Sequence, residues 1–298
     1  MRQPVHGVLL LDKPVGLSSN AALQRVRRLL GADKAGHVGS LDPLASGMLP
    51  ICLGEATKVA GEILSGRKCY RFTIQLGART ATGDTEGAIV ETAPVPALDR
   101  ALLEEHLSKF VGPQDQVPPM YSAIKRGGQP LYKLARSGIE VERAPRRIEI
   151  FDLTLTGVDG ASVQLEALCS KGTYIRTLSE DIARALGTCG HVIALRRVYV
   201  EPFEQQPMET LETVAAAADG LRIMPPDRPL GHLPAVSLGA ADTVRLQHGQ
   251  AVAGGIVAGT VRLYGGGGEF LGLGEADGQG TVRPRRLFVA NGDAGPTS

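Results

Sequence analysis

The sequence predicts an α+β fold carrying a small β unit near its C-terminal end. Three observations support that expectation. Through the larger part of the chain, segments with the two-residue period of strands alternate with segments of helical period. Around "MPPDRPLGHLP" (224–234) prolines cluster, and the pattern changes to short alternating runs broken by glycine. The length of 298 residues, 43% of them hydrophobic and 21% charged, suits one large core plus a small extra domain. The boundary is placed near residue 232, giving a body over 1–231, a small all-β unit over 232–290 and a frayed tail over 291–298.

Taken in order, "GVLLLDKPVGLSSNAALQRVRRLLG" reads as a buried strand, a Pro and Gly turn, and a helix. That helix runs from a Ser18 or Ser19 cap to Gly31, with Leu23, Val26 and Leu30 on one face. "GHVGSLDPLASG" (36–47) follows as a loop. In "YRFTIQLG" (70–77), Tyr70, Phe72, Ile74 and Leu76 alternate with Arg71, Thr73 and Gln75, the period of a half-buried strand. "ARTATGDTEG" reads as a polar loop. Residues 99–111 form a helix capped by Asp99, with Leu102, Leu103, Leu107 and Phe110 inward. The stretch 117–147 mixes Pro, Gly and charge with too few apolar residues for a core element, and reads as a long surface excursion. "RIEIFDLTLTGV" and "SVQLEALCS" form a strand pair. "GTYIRTLSEDIARALG" is a helix with a Thr173 cap, an inward row of Ile175, Leu178, Ile182 and Leu186, and a Gly187 stop. The glycine run 265–268 lies between Tyr264 and Phe270, where a hairpin explains it better than phosphate binding.

Composition excludes several classes. The formal charge is only +1, so a charged partner must be met by a local patch. Such a patch exists in 117–147, where Lys125, Arg126, Lys133, Arg136, Arg143, Arg146 and Arg147 face only Glu140 and Glu142. It reads either as a solvated face or as the footprint of a polyanion, with Tyr121 and Tyr132 free to stack on bases or to anchor the excursion. The four cysteines stand far apart without a CxxC pair, against a zinc knuckle or a disulfide framework. Apolar runs are too short for a signal peptide or a membrane span, so the expectation is a cytoplasmic protein.

Three places combine reactive side chains with special backbone. His37 and Asp42 lie in the glycine-rich loop, where Asp before Pro also suits an ordinary turn. Tyr70 opens a strand, where an aromatic ordinarily packs. Tyr174 and Arg176 fall in the first turn of a helix with Lys171 just before it. A helix N-terminus so flanked attracts a carboxylate or phosphate, although Arg176 equally suits a surface ion pair. Were Arg176 to meet Asp42, it would lower that carboxyl's pKa by ~1 to 3 units.

Six stretches in consistent order closely resemble the bacterial tRNA pseudouridine synthases of the TruB type. They are "GVLLLDKPVGLSSN", "KAGHVGSLDPLASGMLPICLGEATK", "YRFTIQLGARTATGDTEG", "VPPMYSAIKRGGQPLYKLARSG", "CSKGTYIRTLSEDIARALG" and "HVIALRRV". That family isomerises the uridine at position 55 in the T arm. The resemblance implies a core of mixed, mainly antiparallel sheet flanked by helices, a thumb insertion at 117–147, and a C-terminal β-barrel-like unit of the RNA-binding PUA type. It implies that Asp42 is the catalytic carboxylate and that His37 lies beside the flipped nucleotide and helps rearrange the T loop. By the same resemblance, Tyr70 packs on the base, Tyr174 lines the pocket, Arg176 pairs with Asp42, and Leu195 is an apolar wall. Lys13, Lys125, Arg126 and Lys171 are the expected RNA contacts. Val38 and Ser40 stand where the family more often has Thr, or Thr and Ala, and leave the Asp, the Pro and the glycines in place.

The implied reaction breaks the N1–C1′ bond, turns the uracil and joins C5 to C1′, with no redox change and no expected cofactor. The carboxylate can add to C6, attack C1′ or remove a sugar proton. The expected partner is the tRNA T stem-loop, with no membrane, no obligatory protein partner and a monomeric chain. A non-catalytic tRNA-binding protein and a hydrolase using His37 and Asp42 are the rival readings.

Overall fold

The structure, a computed structural model, describes residues 5–216 and 220–288. The expected tail at 291–298 lies outside them. The chain opens with strand β1 (Gly7–Lys13) and helix α1 (Ser19–Leu30). Ser18 caps α1 by accepting the Ala21 N–H at 3.1 Å, and Gly31 ends it at φ 60°, as the sequence predicts. Strands β2 (Ala35–His37) and β3 (Ser46–Leu53) follow, then a 3-10 turn at Gly54–Lys58 and the short helix α2 (Ala60–Leu64). Next come β4 (Lys68–Leu76), β5 (Ala78–Thr80), β6 (Ile89–Thr92), α3 (Arg100–Ser108) and β7 (Gly112–Gln116). The excursion holds a two-rung hairpin, β8 (Lys125–Arg126) and β9 (Gln129–Pro130), and the short helix α4 (Leu131–Arg136). The body continues through β10 (Arg146–Asp159), β11 (Ser162–Cys169), α5 (Ile175–Ala185), β12 (Gly190–Val200), α6 (Leu211–Ala216) and β13 (Ile223–Met224).

A nine-stranded sheet forms the body, in the order β13-β1-β3-β12-β4-β11-β10-β7 with β2 paired to β3. β12 runs parallel to β3 and the other pairs are antiparallel, so the sheet is mixed and mainly antiparallel, as expected. The period-two pattern of β4 buries Tyr70, Phe72, Ile74 and Leu76. α5 packs Ile175, Leu178 and Ile182 into the same core, each contributing on the order of 1.5–3 kcal/mol of hydrophobic stabilisation.

Three local expectations change. In α3, Leu103 and Leu107 are four apart and share the buried face, while Leu102 is rotated off it and stands 46% exposed. Helix α5 begins one residue later than predicted, because Thr173 donates to the Ser170 carbonyl at 3.0 Å instead of capping. Gln116 of β7 takes over, accepting the Tyr174 N–H at 2.8 Å and donating to the Tyr174 carbonyl at 3.1 Å. Arg146 and Arg147 belong to β10, paired with Gln116 and Asp115, and not to the excursion.

Beyond residue 232 lie β14 (Ala235–Ser237), α7 (Ala240–Gln247), β15 (Val252–Gly255), β16 (Ala258–Tyr264), β17 (Phe270–Asp277) and β18 (Gly280–Leu287). They form a five-stranded, barrel-like sheet in the order β14-β16-β17-β18-β15. The eight-residue α7 corrects the all-β expectation, its Leu246 closing the small core. Gly265–Gly268 is the β16–β17 hairpin turn, with the Gly267 N–H held by the Glu269 carboxylate at 3.0 Å. This sheet is joined to the body by a Val59, Leu230 and Leu273 cluster, and by Lys58 donating to the Leu287 carbonyl at 2.7 Å.

Candidate active site

Asp42 is displayed on the crossing between β2 and β3, which pair antiparallel with His37 opposite Ile51 and Gly36 opposite Cys52. The sequence predicts a loop throughout 36–47, whereas its two ends are strand. Ser19, the first residue of α1, grips the crossing one residue before Asp42. Its hydroxyl donates to the Leu41 carbonyl at 3.0 Å and accepts the Leu41 N–H at 2.7 Å. Gly16 N–H reaches the Pro43 carbonyl at 2.7 Å, and Ala45 N–H closes a turn on the Asp42 carbonyl at 3.0 Å. Gly47 is required at the exit: its φ is +98°, and a Cβ there would stand 2.1 Å from the Arg197 carbonyl of β12.

Arg176 is only 4% exposed and divides its donors among three acceptors, with a second carboxylate at ion-pair distance. Its Nε lies 2.9 Å from Asp42 Oδ2 and 3.7 Å from Asp84 Oδ2. Its Nη1 and Nη2 donate to the carbonyls of Thr82 at 2.7 Å and Tyr121 at 2.6 Å. The pair with Asp42 is therefore a single Nε contact and not a two-pronged one, because the fork is spent on backbone. Asp84, 2% exposed, is itself fixed by the Thr82 hydroxyl at 2.5 Å and the Glu86 N–H at 3.0 Å.

The Asp42 carboxylate faces a recess of about 420 Å³, within the range of roughly 300–1,000 Å³ usual for small-molecule sites. Tyr70 from β4, Leu195 and Arg197 from β12, Tyr174 and Arg176 at the start of α5, and Lys68 line it. Ser122, Ala123 and Ile124, from the excursion, close another side, and Lys171 stands at its exposed rim. Register explains the assembly: Lys68 and Tyr70 share one face of β4, and Tyr70 is paired with Arg197. Among the described residues no group of three or more His, Cys, Asp or Glu is placed to hold a metal ion.

The electrostatics follow from burial. Burial pushes the Asp42 carboxyl above its ordinary range, against the pull of Arg176, and Asp84 adds in the same upward direction. The pairing acts in the expected sense, but desolvation outweighs it. Burial also raises the Tyr70 hydroxyl, which stays neutral at neutral pH. His37 is shifted down by burial and by Arg197, and its Nδ1 is buried without a hydrogen-bond partner. Lys13 is lowered to about 8, chiefly by burial.

Of the residues singled out in the sequence, Asp42, Tyr70, Tyr174, Arg176, Leu195 and Lys171 converge on the recess. His37 does not line it, standing two residues before Gly39, which does. Lys125 and Arg126 are exposed on the β8–β9 hairpin. Lys13, expected to meet RNA, is wholly buried and donates to the carbonyls of Pro14 and Leu17 at 2.8 and 2.6 Å. It acts inward, as a positive charge near Asp42. Ser19, Lys68, Asp84 and Arg197 were missed. All but Ser19 are charged residues inside strands or a loop read as polar, and burial of a charge is the signal that would have found them.

Residues 27–175 match the model for the TruB family pseudouridylate synthase N-terminal domain. Residues 176–222 match that for the tRNA pseudouridylate synthase B C-terminal domain, and 234–288 that for the pseudouridine synthase II TruB C-terminal region. The chain is 50% identical over 290 residues to the tRNA pseudouridine synthase B of Aromatoleum aromaticum, covering 96% of this chain and 94% of that one. It is 51% identical over 296 residues to that of Nitrosococcus oceani, covering 97% and 96%. Among solved structures, the archaeal box H/ACA Nop10–Cbf5 complex shares the fold, with a TM-score of 0.71 at 24% identity over 95% of this chain and 86% of that one. About half of the residues are shared with these synthases along almost the whole length, and the chain accordingly belongs to the TruB family of pseudouridylate synthases.

Proposed function

We propose that the chain is a tRNA pseudouridine synthase that isomerises uridine 55 of the T loop. The observation that carries this reading is the Asp42 carboxylate held 2.9 Å from the Arg176 Nε at a recess walled by Tyr70, Tyr174 and Leu195. A uridine stacked in a folded loop is out of reach of that carboxylate, so it is flipped out, at a cost of a few kcal/mol for unstacking. Tyr70 then packs on the uracil as a neutral ring, Leu195 walls its apolar face and Tyr174 borders the sugar side. His37, outside the recess, helps refill the gap left in the loop. Asp42 attacks or removes a proton as the ionised carboxylate, and Arg176 keeps its reacting oxygen aimed while the recess excludes bulk water.

Residues 1–231 serve as the catalytic part, the excursion expected at 117–147, less the β10 residues Arg146 and Arg147, as a thumb over the T stem-loop, and 232–290 as a PUA-like RNA-binding unit. The thumb assignment is supported by the exposed Lys125 and Arg126 and by Ser122–Ile124 lining the recess. Phosphate contacts from these residues and Lys171 supply salt-sensitive affinity. In this reading the chain acts on tRNA as a monomer without a protein partner. The test uses an unmodified tRNA transcript carrying 5-tritiated uridine: the chain releases tritium to water and Asp42→Asn releases none. Absence of release by the unaltered chain would remove the synthase reading, and full release by Asp42→Asn would remove Asp42 from its role.

A further inference from the structure

Two cations in the recess have no task in the reading above. Lys68 and Arg197 line it while only 5% and 1% exposed. The Lys68 ammonium donates to the carbonyls of Leu64 at 2.8 Å and Gly66 at 2.5 Å, leaving one of its three N–H groups for the recess. Arg197 donates from Nε to the Met48 carbonyl at 2.7 Å and from Nη2 to the Gly39 carbonyl at 2.9 Å, and bonds the Tyr70 hydroxyl. Every one of these acceptors is neutral. Among the described residues no carboxylate stands within ion-pair distance of either cation, whereas Arg176 has both Asp42 and Asp84. Burial and the nearby Arg197 lower the Lys68 ammonium to about 8, as expected where two cations lie close together out of water. Unpaired buried charge is costly, and a recess that keeps two such charges is built to receive a negative one.

The reaction supplies that charge. Whether Asp42 bonds to C1′, bonds to C6 or takes the C2′ proton, its negative charge is consumed in forming an ester or an acid. The same charge reappears on the uracil ring. When the N1–C1′ bond breaks, its electron pair leaves with N1 and is spread over O2 and O4. When C5 bonds to C1′, that pair forms the new bond and Asp42 recovers its charge. C5 then loses its proton to solvent and N1 gains one. We propose that Lys68 and Arg197 form a cationic wall that stabilises the uracil while it carries this negative charge. The inference rests on the synthase reading and adds two residues to it: Arg176 serves the charge where it starts, and this pair serves it where it goes.

Arg197 also clamps the two ends of the Asp42 crossing through Gly39 and Met48, so Lys68 is the better probe. The experiment measures single-turnover conversion in tRNA transcripts with uridine or 5-fluorouridine at the target, scored by chromatography of the digested nucleosides as pseudouridine from the first and as the C5-linked nucleoside that keeps its fluorine, having no C5 proton to lose, from the second. Fluorine at C5 withdraws electrons, so the detached base carries its negative charge with less help. Lys68→Met is expected to slow uridine conversion on the order of 10²-fold, to slow 5-fluorouridine much less and to leave tRNA affinity unchanged, and Lys68→Arg recovers most of the rate. Equal slowing of both substrates would mean a structural role and overturn the inference. Weakened tRNA binding with an unchanged rate would assign Lys68 to a phosphate, and an unchanged rate and affinity would leave it no role; either also overturns it. Should Lys68→Met not fold, Arg197→Lys is read by the same ratio, with unequal slowing expected and equal slowing decisive against the proposal. If the unaltered chain makes no pseudouridine, the synthase reading fails first.

Discussion

Arg176 serves three acceptors at once and stays within ion-pair distance of a second carboxylate, and a lysine in its place cannot do both. A single ammonium lacks the flat fork that spans Asp42, Asp84 and the carbonyls of Thr82 and Tyr121. Arg176→Lys is therefore expected to bind tRNA with affinity near that of the unaltered chain while losing turnover by on the order of 10²-fold or more, measured by tritium release against filter binding. Asp42 gives a second expectation, in pH. Its carboxyl is raised by burial despite Arg176, so the charged, active form is gained as pH rises through a value above the ordinary carboxylate range. The single-turnover rate climbs along that limb. Asp84→Asn removes a like charge that helps raise Asp42, so the limb moves to lower pH while the plateau falls because Arg176 loses an anchor. A pH–rate profile of the two proteins checks both changes; a limb that stays in place would mean that Asp84 acts only on the position of Arg176.

The crossing between β2 and β3 is only as firm as its exit. Gly47 combines a φ of +98° with a Cβ position 2.1 Å from a backbone oxygen of β12. Gly16, in the earlier turn, has a φ of +86° and open space around it. Gly16→Ala thus meets backbone strain alone, about 1 kcal/mol or slightly more. Gly47→Ala must also push β12 away from β3, and is expected to cost several kcal/mol and most of the activity. Urea unfolding of the two variants compares the costs, and equal losses would contradict the close approach of the strands. α5 shows the same dependence on a neighbouring element: the backbone of Tyr174, just before the turn that carries Arg176, is held by Gln116 from β7.

The whole molecule meets a polyanion with a charge of only +1, so binding must depend on where the positive residues stand. Lys125 and Arg126 are exposed on a hairpin beside the segment that lines the recess. Replacing both with alanine is expected to weaken tRNA binding on any sequence and to reduce the slope of log K against log salt by about 2, measured by titration across salt concentrations. Intact affinity would place the phosphate contacts elsewhere. Much of this molecule is readable along the chain. The Ser18 and Gly31 caps, the alternation of Tyr70 to Leu76 and the two-part division of patterns are local signals that depend on residues a few positions apart. Six motifs in order likewise carry the family and, with it, Asp42, Tyr70, Tyr174, Arg176 and Leu195. The inward burial of Lys13, the grip of Ser19 on Leu41 22 residues away, the sharing of Arg176 by two carboxylates and the buried cations Lys68 and Arg197 are not readable there. Each depends on which side chains the nine-stranded sheet brings together and which charges it removes from water. Those are properties of pairing between distant strands, and no local spacing records them.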